Sequence, residues 1–478
     1  MRLMGETRPN PWFTGLLALL VAGVMVFTLY PAAISEGPSG LRFVGESAGR
    51  KADRHLYFYG GYETVPAWER AMHRMLFGPR EAVERKSIDI YAETLEWFAR
   101  NPSRTRPWNE QNTRARWLIA LAETGRVEAF VEGLQTLGSG PEEDVLRATL
   151  AHAYGVEGET LIPAELRYGA RMVPGGWGRD HLRMRLAERA GDLETAGAFR
   201  TALAVRGTEM RERLRWLAAF VAGTLGAGII LLVRARVFTR PPPWRAAVLD
   251  QPWAPLQGLA VGVRAALYAV LIALGLSLFQ QHYFRPGILS MWSTLVVALP
   301  MLWLIHRHLL RPRGIGYVQA FGLSLSGVGL RALAAVTLVV LAIQWGGNMV
   351  IAWLGWAAGL EGHWSHGIHE LALFGSLRNT LITGFNAVVW AAVIEEIAFR
   401  GLVYVTLRSV MRPWLAIVLS AALFSGLHLY SMTAMLSVFW SGLVLAWSFE
   451  RFRSLLPGMA AHAIGNALAV STLMLFYR

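Results

Sequence analysis

Nine apolar runs dominate the sequence, each close to the about 20 residues that a helix needs to cross a bilayer. They are Trp12 to Ile34, Leu214 to Val233, Gly258 to Phe279, Leu289 to Ile305, Leu330 to Leu354, Leu381 to Val403, Trp414 to Leu429, Met435 to Phe449 and Met459 to Phe476. Inside lipid no water satisfies a peptide group, so such a run must close its own backbone hydrogen bonds as a helix. The expected fold is all-α: a polytopic membrane helix bundle of about nine spans, interrupted by one long polar block that reads as an inserted extracytoplasmic helical, tetratricopeptide-like domain.

The formal net charge of +13 would suggest a nucleic-acid partner if the charges were evenly spread. They are not. Between Ser35 and Glu212 lie 26 of the 33 acids with 25 Lys and Arg, leaving 7 acids against 21 Lys and Arg in the apolar remainder. Most of those basic residues sit in short links between apolar runs, which is membrane topology rather than nucleic-acid binding. The links Arg234/Arg236/Arg240/Arg245, Arg307/Arg311/Arg313, Arg408/Arg412 and Arg451/Arg453 alternate so that all fall on one side, which should be cytoplasmic. Arg2 and Arg8 then place the N-terminus inside, while 35–212 and Arg478 lie outside. The expected location is the cell membrane, multi-pass. The first run is longer than a signal-peptide core and lacks a nearby small-x-small cleavage site, so it reads as a retained anchor. Expected segments are 1–34 (anchor), 35–212 (outer helical domain), 213–375 (membrane helices) and 376–478 (C-terminal core). With no cysteine, disulfides, thiolate-bound zinc and thiol catalysis are excluded.

In the outer block, apolar residues recur at helical spacing over Ile88–Phe98, Ala115–Leu121 and Leu182–Leu186. The segment Leu121–Phe130 resembles Leu186–Phe199, with Gly125 and Gly191 at the expected helix-to-helix turns. Their separation of 66 residues is near twice a tetratricopeptide period. Degenerate helical hairpins and an unrelated all-helical cap both remain open.

An ionisable residue at a span's centre costs about 2.5–3.5 kcal/mol, so each one is a functional suspect. Glu395 and Glu396 are adjacent, and Arg400 follows Glu396 by four residues, on the same helix face. A buried ion pair accounts for Glu396. Glu395 points about 100° away, without that partner and in a low-dielectric setting suited to a general base. His428 lies in a later run, and His462 and Asn466 share one face of the last. A lone intramembrane histidine is more often a packing partner than a catalyst. Together, however, these groups supply a base for water, imidazoles to orient it or to bind a metal, and an amide for an oxyanion.

The runs "EEIAFR" (Glu395–Arg400), "FSGLH" (Phe424–His428) and "HAIGN" (His462–Asn466) resemble, in order, the EExxxR, FxxxH and HxxxN/D motifs of the CAAX-processing and bacteriocin-processing (Abi) family of intramembrane endopeptidases. The resemblance covers about Leu381 to Phe476. It implies that Glu395 activates the attacking water, that His428 helps to hold it, and that His462 and Asn466 complete the pocket and stabilise the oxyanion. Phe424, Glu396 and Arg400 match supporting positions. Zinc stays open as a cofactor: Glu395, His428 and His462 would be its ligands if the enzyme is metal-dependent.

The cluster His363 to Glu370 has histidines but lacks the second histidine of an HExxH helix, and reads as a solvated outer loop. The leading functional expectation is hydrolysis of a peptide bond in a membrane-associated protein or peptide. A non-catalytic scaffold or bacteriocin-immunity factor is the alternative, and a proton-coupled transporter a third reading, against which stands the lack of an inverted repeat. Expected partners are membrane lipid, the substrate, and an extracytoplasmic protein contacting 35–212, with no nucleic acid.

Overall fold

The computed structural model describes residues 9–34, 38, 41–156, 161–234, 243–283, 288–326, 328–360, 362–428 and 430–477. Arg2, Arg8, Ser35, Arg236, Arg240, Leu429 and Arg478, used in the sequence reading, lie outside them. Among the described residues the helix is the dominant element and there is no strand. A helix stands at each of the nine expected spans, and the protein is a multi-pass helical membrane protein.

Among the described residues, six helices are long and apolar enough to cross a membrane by themselves: Leu193–Val233, Pro255–Leu276, Trp292–Arg313, Gly329–Ala357, Met432–Phe452 and Leu456–Tyr477. The other three are Pro11–Ile34, a helical stretch over 377–408, and the 14-residue Pro413–Gly426. Two boundaries differ instructively from expectation. Pro413–Gly426 ends before His428, which lies in the following turn. Met432–Phe452 runs past Phe449, where hydropathy alone would stop, because Glu450 is satisfied: Arg408 Nε and Nη2 each donate to its carboxylate at 2.8 Å, and Tyr404 Oη donates at 2.8 Å. A paired acid no longer needs water, so the helix continues.

By contacts the chain divides into two compact units, one of Met1–Glu36 with Ala219–Leu473, the other of Gly37–Ala218 with Met474–Arg478. In the first, Pro413–Gly426 packs on Met432–Phe452, which packs in turn on Gly329–Ala357, while Pro255–Tyr283 packs on Pro11–Ile34 and Ile288–Leu304. Gly442 permits the first of these approaches, since a Cβ there would sit 2.9 Å from the Cβ of Ala421. Apolar side chains, among them Trp253, Phe321, Tyr404 and Phe449, fill the core.

In the second unit, Val44–Tyr57 packs against Arg80–Arg100 and Pro107–Glu123, and Trp177–Arg189 packs against both Pro107–Glu123 and Pro141–Tyr154. Gly125 and Gly191 do occupy helix-to-helix turns, with φ of +77° and +74°. The following N–H groups reach back to Leu121 and Ala187 carbonyls, each at 2.9 Å. This is the left-handed helix stop that glycine adopts without strain.

Candidate active site

The stretch 377–408 is helical throughout but not uniformly α: Asn386–Ala391 and Glu396–Tyr404 are wound as π-helix. A π turn displaces the ladder by one residue, and such insertions are rare and concentrate at functional sites. Two carbonyls on this stretch are bonded from other helices. Ala387 O accepts from Asn466 Nδ2 at 2.7 Å, and Phe399 O accepts from Ser420 Oγ at 3.1 Å.

Glu396 and Arg400 are both 0% exposed and form the expected pair, with Arg400 Nη1 donating to Glu396 Oε1 at 2.9 Å. The guanidinium is held on two further sides, by the Gly442 carbonyl at 3.3 Å and by the face of Phe424, 4.4 Å from its ring centre. The role of Phe424 beside a desolvated cation is thus cation–π support. Glu396 Oε2 and Arg400 Nε are buried without a hydrogen-bond partner among the described residues.

His462 joins this pair from the last helix. Its Nδ1 lies 3.0 Å from Glu396 Oε1, and a proton there donates to the carboxylate; its Nε2 lies 3.7 Å from Glu395 Oε2. Glu395, which spacing alone left without a partner, therefore faces an imidazole and keeps 29% of its side chain exposed, while His462 keeps 11%. One imidazole connects an accessible carboxylate with a fully buried one.

His428 reaches the same region from the turn after Pro413–Gly426. Its Nδ1 must donate to the Phe424 carbonyl, 2.7 Å away, because a carbonyl only accepts. That leaves Nε2 as an acceptor. The rings of His428 and His462 flank Phe424, with centroids 4.7 and 6.1 Å from it, which brings His428 toward the centre despite its place past the helix end. The Tyr430 ring stands 5.5 Å from that of His428. Sequence reasoning passed over Tyr430 and Ser420, since a tyrosine near a span end and a serine within one are commonplace.

Glu395, His428 and His462 are all described, and the described residues hold no group of three or more His or acidic side chains already gathered as for a metal ion. His428 gives Nδ1 to a carbonyl and His462 turns Nδ1 to Glu396, which leaves their Nε2 atoms as the donors a metal would take, that of His462 lying 3.7 Å from Glu395 Oε2. Nor do the loop histidines form such a group; His363 Nδ1 accepts the Ser365 N–H at 3.2 Å, and the rings of His363 and His366 are 5.9 Å apart.

An accessible carboxylate, an imidazole and a buried ion pair thus meet within one set of membrane helices. Residues 377–468 match the family model of the type II CAAX prenyl endopeptidases, Rce1-like. The C-terminal region is thus similar to a family of intramembrane proteases, and all three motifs lie inside the matched segment. No curated protein and no solved structure matches the chain.

Proposed function

We propose that the protein is an intramembrane endopeptidase whose C-terminal region, 376–478, hydrolyses a peptide bond of a membrane-associated protein or peptide with a water activated by Glu395. The observation that carries this reading is the placement of His462 between Glu395 and Glu396. Glu396, neutralised by Arg400, holds the imidazole by Nδ1 and so directs Nε2 at Glu395. In this mechanism Glu395 takes a proton from water, and the hydroxide attacks the scissile carbonyl. His428 Nε2 accepts the water's second hydrogen and keeps its lone pair aimed. The developing oxyanion is met by the second N–H of the Asn466 amide, whose first is given to Ala387, and by the Nε2–H of His462 in its imidazolium form. Glu395 then returns its proton to the leaving nitrogen. No step is routed through a metal.

In the same reading the basic links face the cytoplasm of a cell membrane, and residues 35–212 lie outside and recruit the protein partner. The test compares wild type with Glu395→Gln, each purified in detergent and incubated with membrane extract from a strain lacking the protein. New peptide termini found by mass spectrometry with wild type alone support the proposal. Identical termini from both, with the fold of each verified, defeat it.

A further inference from the structure

The chain that follows Val44–Tyr57 runs along the long helix Leu193–Val233 toward its apolar end. At Gly60 the two backbones touch, since a Cβ on Gly207 would lie 2.2 Å from the Gly60 carbonyl oxygen. One turn further, Arg211 Nη1 donates to the Phe58 and Gly60 carbonyls at 2.6 and 2.8 Å. Another turn on, Arg215 grips Glu69, its Nε and Nη2 donating to the two carboxylate oxygens at 2.8 Å each. Glu69 is 1% exposed, and a bidentate pair of this kind fixes its level on the helix. That level is the start of the apolar run, which begins at Leu214. Arg213 marks the same boundary from a second run, donating at 2.9 Å to the carbonyl of Leu475, one residue before the last apolar run ends at Phe476.

Glu69 belongs to the helix Ala67–Phe77, which has three distinct faces. Glu69 and His73 form the inner one, with the His73 ring 4.8 Å from that of Phe58. Arg70 and Arg74 form the second. They line a small cavity with Tyr59, Tyr62 and Arg80, so this flank looks back toward the level of Gly60. Trp68, Met72 and Met75, spaced i, i+4 and i+7, form the third. Trp68 and Met75 are 67% and 72% exposed. At 100° per residue Met75 lies about 140° round the helix from Arg70, so the apolar flank looks the other way, down the apolar run. Trp216, the neighbour of Arg215, is exposed at that level too.

We propose that Ala67–Phe77 is an interfacial helix lying along the surface of the lipid bilayer, with Trp68, Met72 and Met75 inserted at the headgroup–acyl boundary and Arg70 and Arg74 kept in water. A tryptophan and two methionines gathered on one flank lose free energy in water, whereas that boundary accepts both the amphipathic indole and the apolar thioethers. A basic flank opposite an apolar one is the composition that keeps such a helix in the plane of the interface. The only acid on the helix, Glu69, is turned inward and neutralised by Arg215, so no carboxylate is carried into lipid. The inference does not rest on the proteolytic reading.

The test is site-directed spin labelling of the full chain in nanodiscs of phosphatidylcholine and phosphatidylglycerol. The chain has no cysteine, so Met75→Cys and Arg70→Cys each take one label at one place. Relaxation by oxygen, which concentrates among acyl chains, is compared with relaxation by a water-soluble nickel chelate. The Met75 label is expected to be open to oxygen and shielded from nickel, at a depth of about 5–10 Å, and the Arg70 label to be open to nickel. Nickel reaching both labels alike places the flank in water and overturns the proposal. So does a Met75 label shielded from oxygen and nickel together, which means that protein covers it, or equal depth at the two positions. A label at Trp68→Cys, on the same flank as Met75, repeats the reading independently, so one misfolded variant does not decide the matter.

Discussion

His462 Nδ1 lies 3.0 Å from Glu396 Oε1, a contact between residues 66 positions apart. It makes the second glutamate of the pair a holder of the imidazole and leaves the first, 3.7 Å from Nε2, as the accessible one. His462→Gln keeps a polar side chain of similar reach but removes the second ring nitrogen. It is expected to lower kcat by about 10²-fold or more with KM little changed, the scale of losing a group that acts in the transition state. Single-turnover cleavage of the substrate identified by the Glu395→Gln comparison reads this directly. An unchanged kcat would reduce His462 to a packing residue.

The Glu396–Arg400 pair is fully buried, so breaking one side strands a charge. Arg400→Met is expected to cost about 3–5 kcal/mol of stability. The double variant Arg400→Met with Glu396→Leu should recover most of that loss, because no unpaired charge remains, while staying inactive. Melting of the purified variants in detergent checks both. A single variant as stable as wild type would contradict the ion-pair account.

Asn466 Nδ2 reaches the Ala387 carbonyl at 2.7 Å, across 79 residues of chain. Removing the amide by Asn466→Ala leaves that carbonyl short of a partner at the π segment, at a cost of about 1–3 kcal/mol. Asn466→Asp, which keeps the size but has no N–H to donate, should lose at least as much. If either variant melts with wild type and still has lower kcat, the amide serves only the oxyanion and not the helix.

The helical unit of Gly37–Ala218 should be acid-sensitive for two reasons with the same sign. At His55, burial first and then the charges of Lys51, Lys86 and Arg54 push the pKa down to about 3. The folded state therefore stays neutral there while the unfolded chain takes up a proton below the ordinary imidazole pKa near 6.5. At Glu123, burial opposes ionisation, but hydrogen bonds from His181 and Arg185 outweigh it and hold the pKa at about 2. Its stabilisation is complete above the ordinary carboxylate range and is lost as pH falls toward 2. Stability should thus decline first between about pH 6.5 and 3 through His55, then below about pH 4.5 through Glu123. His55→Gln should flatten the upper part of a melting-temperature profile and Glu123→Gln the lower. Profiles parallel to wild type would count against these assignments.

Much of the candidate site could be read from spacing. Glu396 and Arg400 are four residues apart on one helix, and local geometry suffices to pair them. His462 and Asn466 share a face for the same reason, yet they separate in use, one turning to the glutamates and the other to a backbone carbonyl. Nothing in the hydropathy marks the π turns at Asn386–Ala391 and Glu396–Tyr404, because winding depends on which carbonyls neighbouring helices can satisfy. Hydropathy also ended one span at Phe449; the pairing of Glu450 with Arg408 and Tyr404, which extends it, is a contact across helices.

The sequence by itself determined the all-helical membrane architecture, the positions of the helices and the identity of the ionisable residues within them. Those follow from the requirement that a backbone in lipid close its own hydrogen bonds, and that a charge there be rare. Which glutamate holds the imidazole, which amide caps a π turn and which ring nitrogens stay free of protein partners on the two histidines were decided only by tertiary structure. Each depends on a distance between groups tens to hundreds of residues apart, and only the packing of helices sets that distance.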